Sequence, residues 1–373
     1  MRRLIGFELY KIFQQKSIYI FLFILLVLIT VSLNGPVSRY EPLTVHKMWE
    51  GELTQDKIDR AAAAHEAIMA KESPSREEWK EDGIYENIAV LHTLRMERET
   101  QIAAIAEQLQ DSRIEGYERN RMKLHISMLE RLDTDRYYSH RGPAEMIDFV
   151  NTFGLVMTGA LMLIGLSAVF SNDYATRMDQ FLFSAKYGRS RTVIAKIIAS
   201  MAYTFTVVLV WNIYNAAHRL SVYGGEGWKA PLQSLFKYRD SPYQMDLAAY
   251  YATQIGMHLA GAIAFMFIIL LISALCKHST ISIIVNGALF TFPIAATSLF
   301  DFDIDWLNRL ITYSYTGVMK VEELFRTYIT VNVATYPLPA PVAAVGAMLL
   351  LSLVCYTLMQ YILKQKEAVS GSS

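Results

Sequence analysis

The chain has 373 residues, of which 53% are hydrophobic, and its 35 basic and 35 acidic residues leave a formal net charge of zero. The two cysteines, Cys276 and Cys355, lie in or beside apolar runs, which excludes a disulfide framework for the polar part of the chain. We expect no nucleic-acid partner, no metal site and no catalytic arrangement on this chain.

Six apolar stretches are each long enough to cross a hydrocarbon core of ~30 Å, which takes roughly 20 helical residues. Backbone groups find no water partners in lipid, so we interpret these stretches as helices. The predicted fold class is therefore all-α, a polytopic membrane protein with six transmembrane helices. The stretches are approximately residues 18–33, 147–170, 192–217, 247–276, 281–300 and 338–363.

The first domain, residues 1–34, contains the first span and the segment before it. Residues 1–16 form an amphipathic pattern that predicts an interfacial helix along the inner leaflet. The alternative is a cytoplasmic extension of the first span. The apolar stripe consists of Leu4, Ile5, Leu9, Ile12 and Phe13, with basic residues at Arg2, Arg3, Lys11 and Lys16.

The second domain, residues 35–146, is polar and has no spanning run. A helix starting near Thr54 ends at the break 73–75, and two further apolar stripes recur at helical spacing. Stripes of this kind must be buried against each other or a partner. We predict an extracytoplasmic α-helical domain, a helical hairpin. The two stripes are Ile84, Ile88, Leu91, Ile102, Ile105 and Leu109, then Met122, Ile126, Leu129 and Leu132.

The third domain, residues 147–373, holds spans two to six and a charged loop, residues 171–191. An amphipathic helix over 171–185 is predicted in this loop, with an apolar side and a polar side available for contacts. The apolar side consists of Tyr174, Met178, Phe181 and Leu182, and the polar side of Asn172, Asp173, Arg177 and Asp179. Such a helix parallel to the membrane would serve as a mechanical contact surface.

Here the sequence resembles the permease subunits of ABC-2-type ABC transporters. In that family an acidic residue after the second span is followed by a leucine- and serine-containing stretch, an Arg, and a Lys within the third span. The matching positions are Asp173, residues 181–184, Arg189 or Arg191, and Lys196. Asn172-Asp173 replaces the usual Ser-Glu, and Lys186-Tyr187 replaces a frequent proline. The large loop after the first span is similar to the subgroup related to sodium, drug or peptide exporters.

The resemblance implies a permease that pairs with a second copy or a paralogue and binds cytoplasmic ABC ATPase subunits, which hold ATP and Mg. No G-x-x-x-x-G-K-[ST] motif occurs in this chain, so we expect that it is not its own P-loop ATPase. The expected cargo is a peptide, a drug or another amphipathic compound, and sodium is a further candidate. The predicted coupling residues are Asn172, Asp173, Tyr174, Arg177, Met178, Phe181, Leu182, Arg189 and Arg191.

Orientation follows from the basic residues near the helix ends. With both termini cytoplasmic, the inner side carries 12 of the 35 basic residues and only four of the 35 acidic ones. We expect a multi-pass protein of the plasma membrane.

Polar residues within the spans either line a translocation path or make interhelical hydrogen bonds. The candidates for the path are Asn151, Asn212, Gln254, His258 and Asn286. In the fourth span, Gly256, Ala260 and Ala264 fit a small-xxx-small packing stripe. Pro293 is expected to kink or break the fifth helix.

Two acidic motifs in the last outer loop indicate no enzyme. The EELFR segment at 322–326 lacks the spacing of an EExxxR protease signature, and the DFDID segment at 301–305 lacks the Gly and Glu of a calcium loop. The alternative function, from another class, is a polytopic sensor or assembly protein that acts through its extracytoplasmic helical domain without transport.

Overall fold

The computed structural model describes residues 1–33, 48–176, 188–299 and 305–370. Within these ranges six helices are long and apolar enough to cross a membrane. They span Lys16–Leu33, Arg141–Ala175, Arg191–Tyr223, Leu247–Leu275, Ser279–Ala296 and Ala340–Lys366. The chain is mostly helical, and the prediction of a six-helix multi-pass protein is confirmed at that level. The second span begins at Arg141, earlier than predicted.

In chain order the elements are α1 (Arg2–Phe13), α2 (Lys16–Leu33), β1 (Gly51–Glu52), α3 (Gln55–Met69), α4 (Arg76–Gln108), α5 (Gly116–Leu129), β2 (Arg136–Tyr137), α6 (Arg141–Phe149), α7 (Leu155–Leu166), α8 (Ser171–Ala175), α9 (Gly188–Tyr223), α10 (Leu247–Leu275), α11 (Ser279–Leu299), α12 (Asp305–Thr312), α13 (Tyr315–Lys320), α14 (Glu322–Arg326), β3 (Thr330–Val333), β4 (Tyr336–Pro339) and α15 (Ala340–Ser370). A π-helical turn, Val150–Gly154, joins α6 to α7.

Local sequence accounts for several helix ends. Ser75 and Glu78 form a reciprocal capping box at the start of α4. The Asp246 carboxylate accepts a hydrogen bond from the Ala249 N–H and caps α10. The fifth span runs through Pro293 without a break.

The second, third and fourth spans form the centre of the bundle, and the first, fifth and sixth lie at its periphery. Trp211 and Phe265 are fully buried there. The predicted stripe of α1 faces this bundle, because Ile12 is buried and the Phe13 ring lies edge-on to Tyr203 at 5.6 Å. Phe7 and Tyr10, on the other side of α1, are exposed.

The close approach within the fourth span occurs at Gly261 and not at Gly256. A Cβ atom on Gly261 would lie 2.7 Å from the Tyr315 carbonyl oxygen, while one on Gly256 would meet nothing within 4 Å. The packing stripe predicted from Gly256 is therefore wrong at its first position. The small-xxx-small spacing identified the helix that makes the close contact, but Gly256 does not lie on the face of that helix that the short helix α13 covers.

In the described part of the insertion, residues 48–140, three helices lie where the helix near Thr54 and the two stripes were predicted, and a two-stranded sheet is added that was not predicted. The core of the insertion lies between α3 and α4, where Ile84, Ile88 and Leu91 pack against Ala61 and Ile68. The first half of the first predicted stripe thus packs against α3 and not against the second stripe on α5. The antiparallel pair β1 and β2 closes the base of the insertion.

A second antiparallel pair, β3 and β4, directly precedes the last span. Within the described residues these two small sheets are additions to a mostly helical chain, which is consistent with the predicted all-α fold class. The turn between β3 and β4 has positive φ angles at Ala334 (48°) and Thr335 (73°). A two-residue turn of this kind usually carries Asn-Gly, so the sequence held no hairpin signal here.

The insertion contacts the loops that follow the third and fifth spans. Asn87 of α4 donates to the Ser234 carbonyl oxygen at 3.2 Å, and Tyr117 of α5 to the Thr330 carbonyl oxygen at 3.1 Å. The segments α1 and α8 lie together at the opposite end of the bundle, where Lys11 reaches Asp173. The bundle therefore has an insertion end and an α1 end.

Candidate functional site

A buried cluster of four charges lies at the α1 end of the bundle. The Lys196 ammonium of α9 lies 2.8 Å from the Asp173 carboxylate of α8 and 3.0 Å from the Glu8 carboxylate of α1. It also donates to the Val169 carbonyl oxygen at 2.7 Å. The Lys196 side chain is only 2% exposed, so these three acceptors replace its hydration.

Lys11 supplies the second positive charge. Its ammonium lies 3.1 Å from Asp173 and 3.5 Å from Glu8, so each carboxylate is held by both lysines. Partial burial acts to lower the pKa of Lys11, but the attraction of Asp173 and Glu8 outweighs it and raises the pKa above its ordinary value. The cluster is electrically neutral and joins three elements that are distant in sequence.

The attraction between the paired charges does not by itself show that the cluster stabilises the fold, because removing each charge from water costs several kcal/mol. Removing one member is a different matter, since it leaves a buried charge without its partner. Because separating any one of these charges from its partners is costly, the cluster holds α1, α8 and α9 in a fixed relative position. A cleft of about 250 Å³ runs beside the cluster, between Gln15 of the α1–α2 junction and Asn172 of α8.

A hydroxyl from the fourth span holds the break between α7 and α8. Ser273 Oγ accepts hydrogen bonds from the Phe170 N–H at 3.0 Å and the Ser171 N–H at 3.2 Å. It donates to the Ser167 carbonyl oxygen at 2.8 Å. Backbone groups freed where α7 ends are thus satisfied by one side chain, which fixes the direction in which α8 leaves the bundle.

The C-terminal part of α15 contacts the same turn. The Lys366 ammonium donates to the Ala274 carbonyl oxygen at 2.6 Å and lies 4.0 Å from the centre of the Tyr174 ring. Tyr174 is the residue after Asp173. The segment α8 therefore contacts the fourth and sixth spans in addition to α1 and α9.

The structure describes five of the nine predicted coupling residues. Asn172 is exposed and Tyr174 is half-buried, but Asp173 is buried and paired with lysines, so the prediction that Asp173 is available for outside contacts is wrong. Helix α8, Ser171–Ala175, confirms the start of the predicted helix 171–185, and residues 177–185 of that prediction lie outside the described residues. Arg191 is exposed near the start of α9, and Arg189 lies in its first turn. Arg177, Met178, Phe181 and Leu182 lie outside the described residues.

Two of the predicted path residues form a polar connection at the insertion end. Gln254 donates to the Asn151 side-chain oxygen at 2.9 Å and to the Ile147 carbonyl oxygen at 3.1 Å. Asn151 in turn donates to the Glu322 carboxylate at 3.3 Å. Asn151 belongs to the π-helical turn Val150–Gly154, and such turns are frequent at functional positions in helices.

The Glu322 carboxylate is held from the other side by a loop lysine. The Lys237 ammonium lies 3.2 Å from both Glu322 and Asp148. Burial acts to lower the pKa of Lys237, but Asp148 and Glu322 raise it above its ordinary value. Val321, just before Glu322, is buried with φ of 65°, a strained backbone conformation for a β-branched residue.

His258 makes hydrogen bonds through both ring nitrogens. Nδ1 lies 2.8 Å from the Met319 carbonyl oxygen, which only accepts, so Nδ1 carries the proton and Nε2 accepts from the Thr158 hydroxyl at 2.8 Å. Thr158 Oγ1 accepts in turn from the Trp211 indole N–H at 3.0 Å. Through these hydrogen bonds His258 connects the fourth span to the second and third spans and to α13.

The remaining two path candidates are not brought into one site. Asn212 accepts from the Tyr251 hydroxyl at 2.9 Å, and Asn215 donates to that hydroxyl at 3.2 Å. Asn286 is buried on the fifth span and donates to Ser282 of its own helix at 3.3 Å. Among the described residues its side-chain oxygen has no hydrogen-bond partner.

Sequence reasoning missed Glu8, Ser273, Lys237 and Glu322 as members of these sites. A charged residue on the apolar side of an otherwise amphipathic α1 was a usable signal for Glu8, because Glu8 lies four residues after Leu4 and four before Ile12 of the stripe. The other three depend on contacts between distant segments, and no local pattern marks them.

No family model matches the chain, and neither a curated protein nor a solved structure matches it.

Proposed function

We propose that this chain is the membrane-spanning permease subunit of an ABC-2-type transporter in the plasma membrane. It pairs with a second copy or a paralogue, and separate cytoplasmic ATPase subunits bind ATP and Mg. Both termini, α1 and α8 are on the cytoplasmic side, and the insertion is extracytoplasmic. The transporter exports a peptide, a drug or another amphipathic compound.

The observation that supports this proposal best is the contact of Lys196 with Asp173 and Glu8. Asp173 and Lys196 are the acidic residue and the lysine in the family pattern that the sequence resembles, and they lie 2.8 Å apart. Through this cluster a push on α8 acts at once on α1 and on the third span. Ser273 adds the fourth span to the same unit.

If α8 is displaced by an ATPase, it also needs an exposed surface that the ATPase can contact. On α8 and the residue after it, Asn172, Ala175 and Thr176 are exposed, at spacings that place them on one helical face. Asp173 points the other way into the ion cluster. The ATPase would therefore contact the exposed face, while the buried carboxylate transmits the displacement.

The proposal is tested by tagging the full-length chain, purifying it from native membranes in mild detergent, and measuring bound P-loop protein and ATP hydrolysis. Ala175→Arg places a large charge on the exposed face of α8, and we expect it to abolish both. Ala103→Arg, at an exposed position on α4 of the insertion, is the matched control and should retain both.

Two results would contradict the proposal. One is an unmodified chain that carries no P-loop ATPase, and this outcome favours a sensor or assembly protein acting through the insertion. The other is an ATPase that stays bound and coupled in Ala175→Arg, because the contact then lies elsewhere.

A further inference from the structure

The insertion is fastened to the β3–β4 hairpin by α5. Tyr117 hydrogen-bonds Thr330, Asn120 donates to the Thr335 carbonyl oxygen at 3.1 Å, and Tyr328 donates to the Arg121 carbonyl oxygen at 2.6 Å. We name this contact, α5 against residues 328–335, the clasp. It joins two segments more than 200 residues apart in sequence.

The hairpin is continuous with the last span. The Ala340 N–H at the start of α15 donates to the Ile329 carbonyl oxygen at 3.0 Å, and β4 ends at the residue before Ala340. A displacement of the hairpin therefore moves the outer end of α15. No flexible linker separates the clasp from the span.

A histidine lies inside the clasp. The His125 ring stacks on the Tyr328 ring with centroids 4.0 Å apart and planes within 6°. The nearest turn of α5 presents Arg121, which pairs with Glu118 at 3.1 Å. The hairpin side presents Tyr328. On α4, which packs against α5, Arg98 donates to the Leu132 carbonyl oxygen and Arg95 pairs with Asp135.

We propose that the clasp is an acid-sensitive switch through which the insertion controls the outer end of the last span. Above neutral pH the uncharged His125 ring stays stacked and the hairpin is held. At acid pH the ring takes up a proton, the stack is released and the outer end of α15 gains freedom.

The sign of the effect follows from the surroundings of the ring. Burial, and then the charge of Arg121, hold the pKa of His125 below its ordinary value of about 6.5. The Tyr328 phenol, whose pKa is raised to about 12 by burial, carries no compensating negative charge at neutral pH. The clasp is therefore fully stable above pH ~6.5 and weakens as the pH falls from there through the lowered pKa.

The last span also reaches the other end of the bundle, where Lys366 lies over the Tyr174 ring. A change at the clasp can thus act on α8, and this output alone rests on the proposed function. The clasp itself requires no ATPase, so its test is independent of that proposal.

The test measures backbone hydrogen exchange of residues 328–339 in the full-length chain in lipid nanodiscs, at pH 7.5 and 5.5, corrected for intrinsic exchange rates. We expect loss of protection at pH 5.5 of up to about tenfold, because this pH lies about one unit below the ordinary pKa of histidine. His125→Phe keeps an aromatic stack without a titrating group and should keep protection at both pH values. His92→Phe, on α4, is the matched control and should behave like the unmodified chain.

Tyr328→Leu removes the stacking partner and its hydrogen bond to Arg121, and we expect it to lose protection at both pH values. Equal protection of the unmodified chain at pH 7.5 and 5.5 would overturn the proposal. An undiminished pH effect in His125→Phe would overturn it as well, because another group would then be responsible.

Discussion

The Lys196 ammonium lies 2.8 Å from the Asp173 carboxylate and joins α8 to the third span. Glu8 and Lys11 complete the pairing from α1. We expect Lys196→Met to leave two buried carboxylates with one ammonium and to cost about 3–5 kcal/mol of stability. Thermal unfolding of the purified chain measures this loss.

The double variant Asp173→Asn, Lys196→Met removes one charge of each sign, and its loss of stability should be smaller than the sum of the losses in the two single variants. Glu99→Gln, in an exposed pair with Arg95, is the control and should change stability by less than about 1 kcal/mol. Strict additivity of the two single variants would show that Asp173 and Lys196 are not coupled.

Ser273 gives a second prediction for the same turn. Ser273→Ala leaves the Phe170 and Ser171 N–H groups without their acceptor, while the Ser167 carbonyl oxygen keeps the Ser171 hydroxyl, and we expect a loss of about 1–3 kcal/mol. Ser352→Ala is the control, because that hydroxyl only bonds a carbonyl oxygen of its own helix. Equal unfolding temperatures for the two variants would exclude the bridging role of Ser273.

His258 distinguishes a structural role from a role in translocation. His258→Phe removes bonds to Met319 and Thr158, and we expect about 1–2 kcal/mol lower stability. Transport activity should fall only in proportion to the folded fraction. A variant that keeps full stability and loses transport would instead place His258 on the path of the cargo.

The fourth span offers a matched pair of glycines. Gly261→Ala brings a methyl group against the Tyr315 carbonyl oxygen and Met319 of α13, and we expect a loss of about 1–3 kcal/mol. Gly256→Ala should be neutral or slightly stabilising, since its Cβ meets nothing within 4 Å. Comparison of the two unfolding temperatures checks that α13 packs on the fourth span.

Hydropathy predicted six spans, because about 20 apolar residues in a row carry their own signal. It also separated the polar insertion from the bundle. Which helices pack against each other inside the insertion was not predictable in the same way. Ile84, Ile88 and Leu91 show a helical stripe, but the stripe does not state that α3 covers it instead of α5.

Asp173 and Lys196 were singled out from the sequence, but their direct contact and the part played by Glu8 were not. Glu8 lies 188 residues from Lys196, and their contact depends on how α1 folds back on the third span. Glu322 is buried because α13 and α14 re-enter the bundle, while Glu323 beside it is exposed. Adjacent identical residues with different burial cannot be told apart by composition or periodicity.

The most direct measurement of the central claim is site-specific photo-crosslinking at Ala175, with Ala103 as the matched position. The substitution Ala175→p-benzoylphenylalanine is introduced in the full-length chain in native cells, and adducts are identified by mass spectrometry. The account predicts an adduct of Ala175 with a P-loop ATPase whose yield changes with ATP, and none at Ala103. No ATPase adduct at Ala175, or equal adducts at both positions, would contradict it.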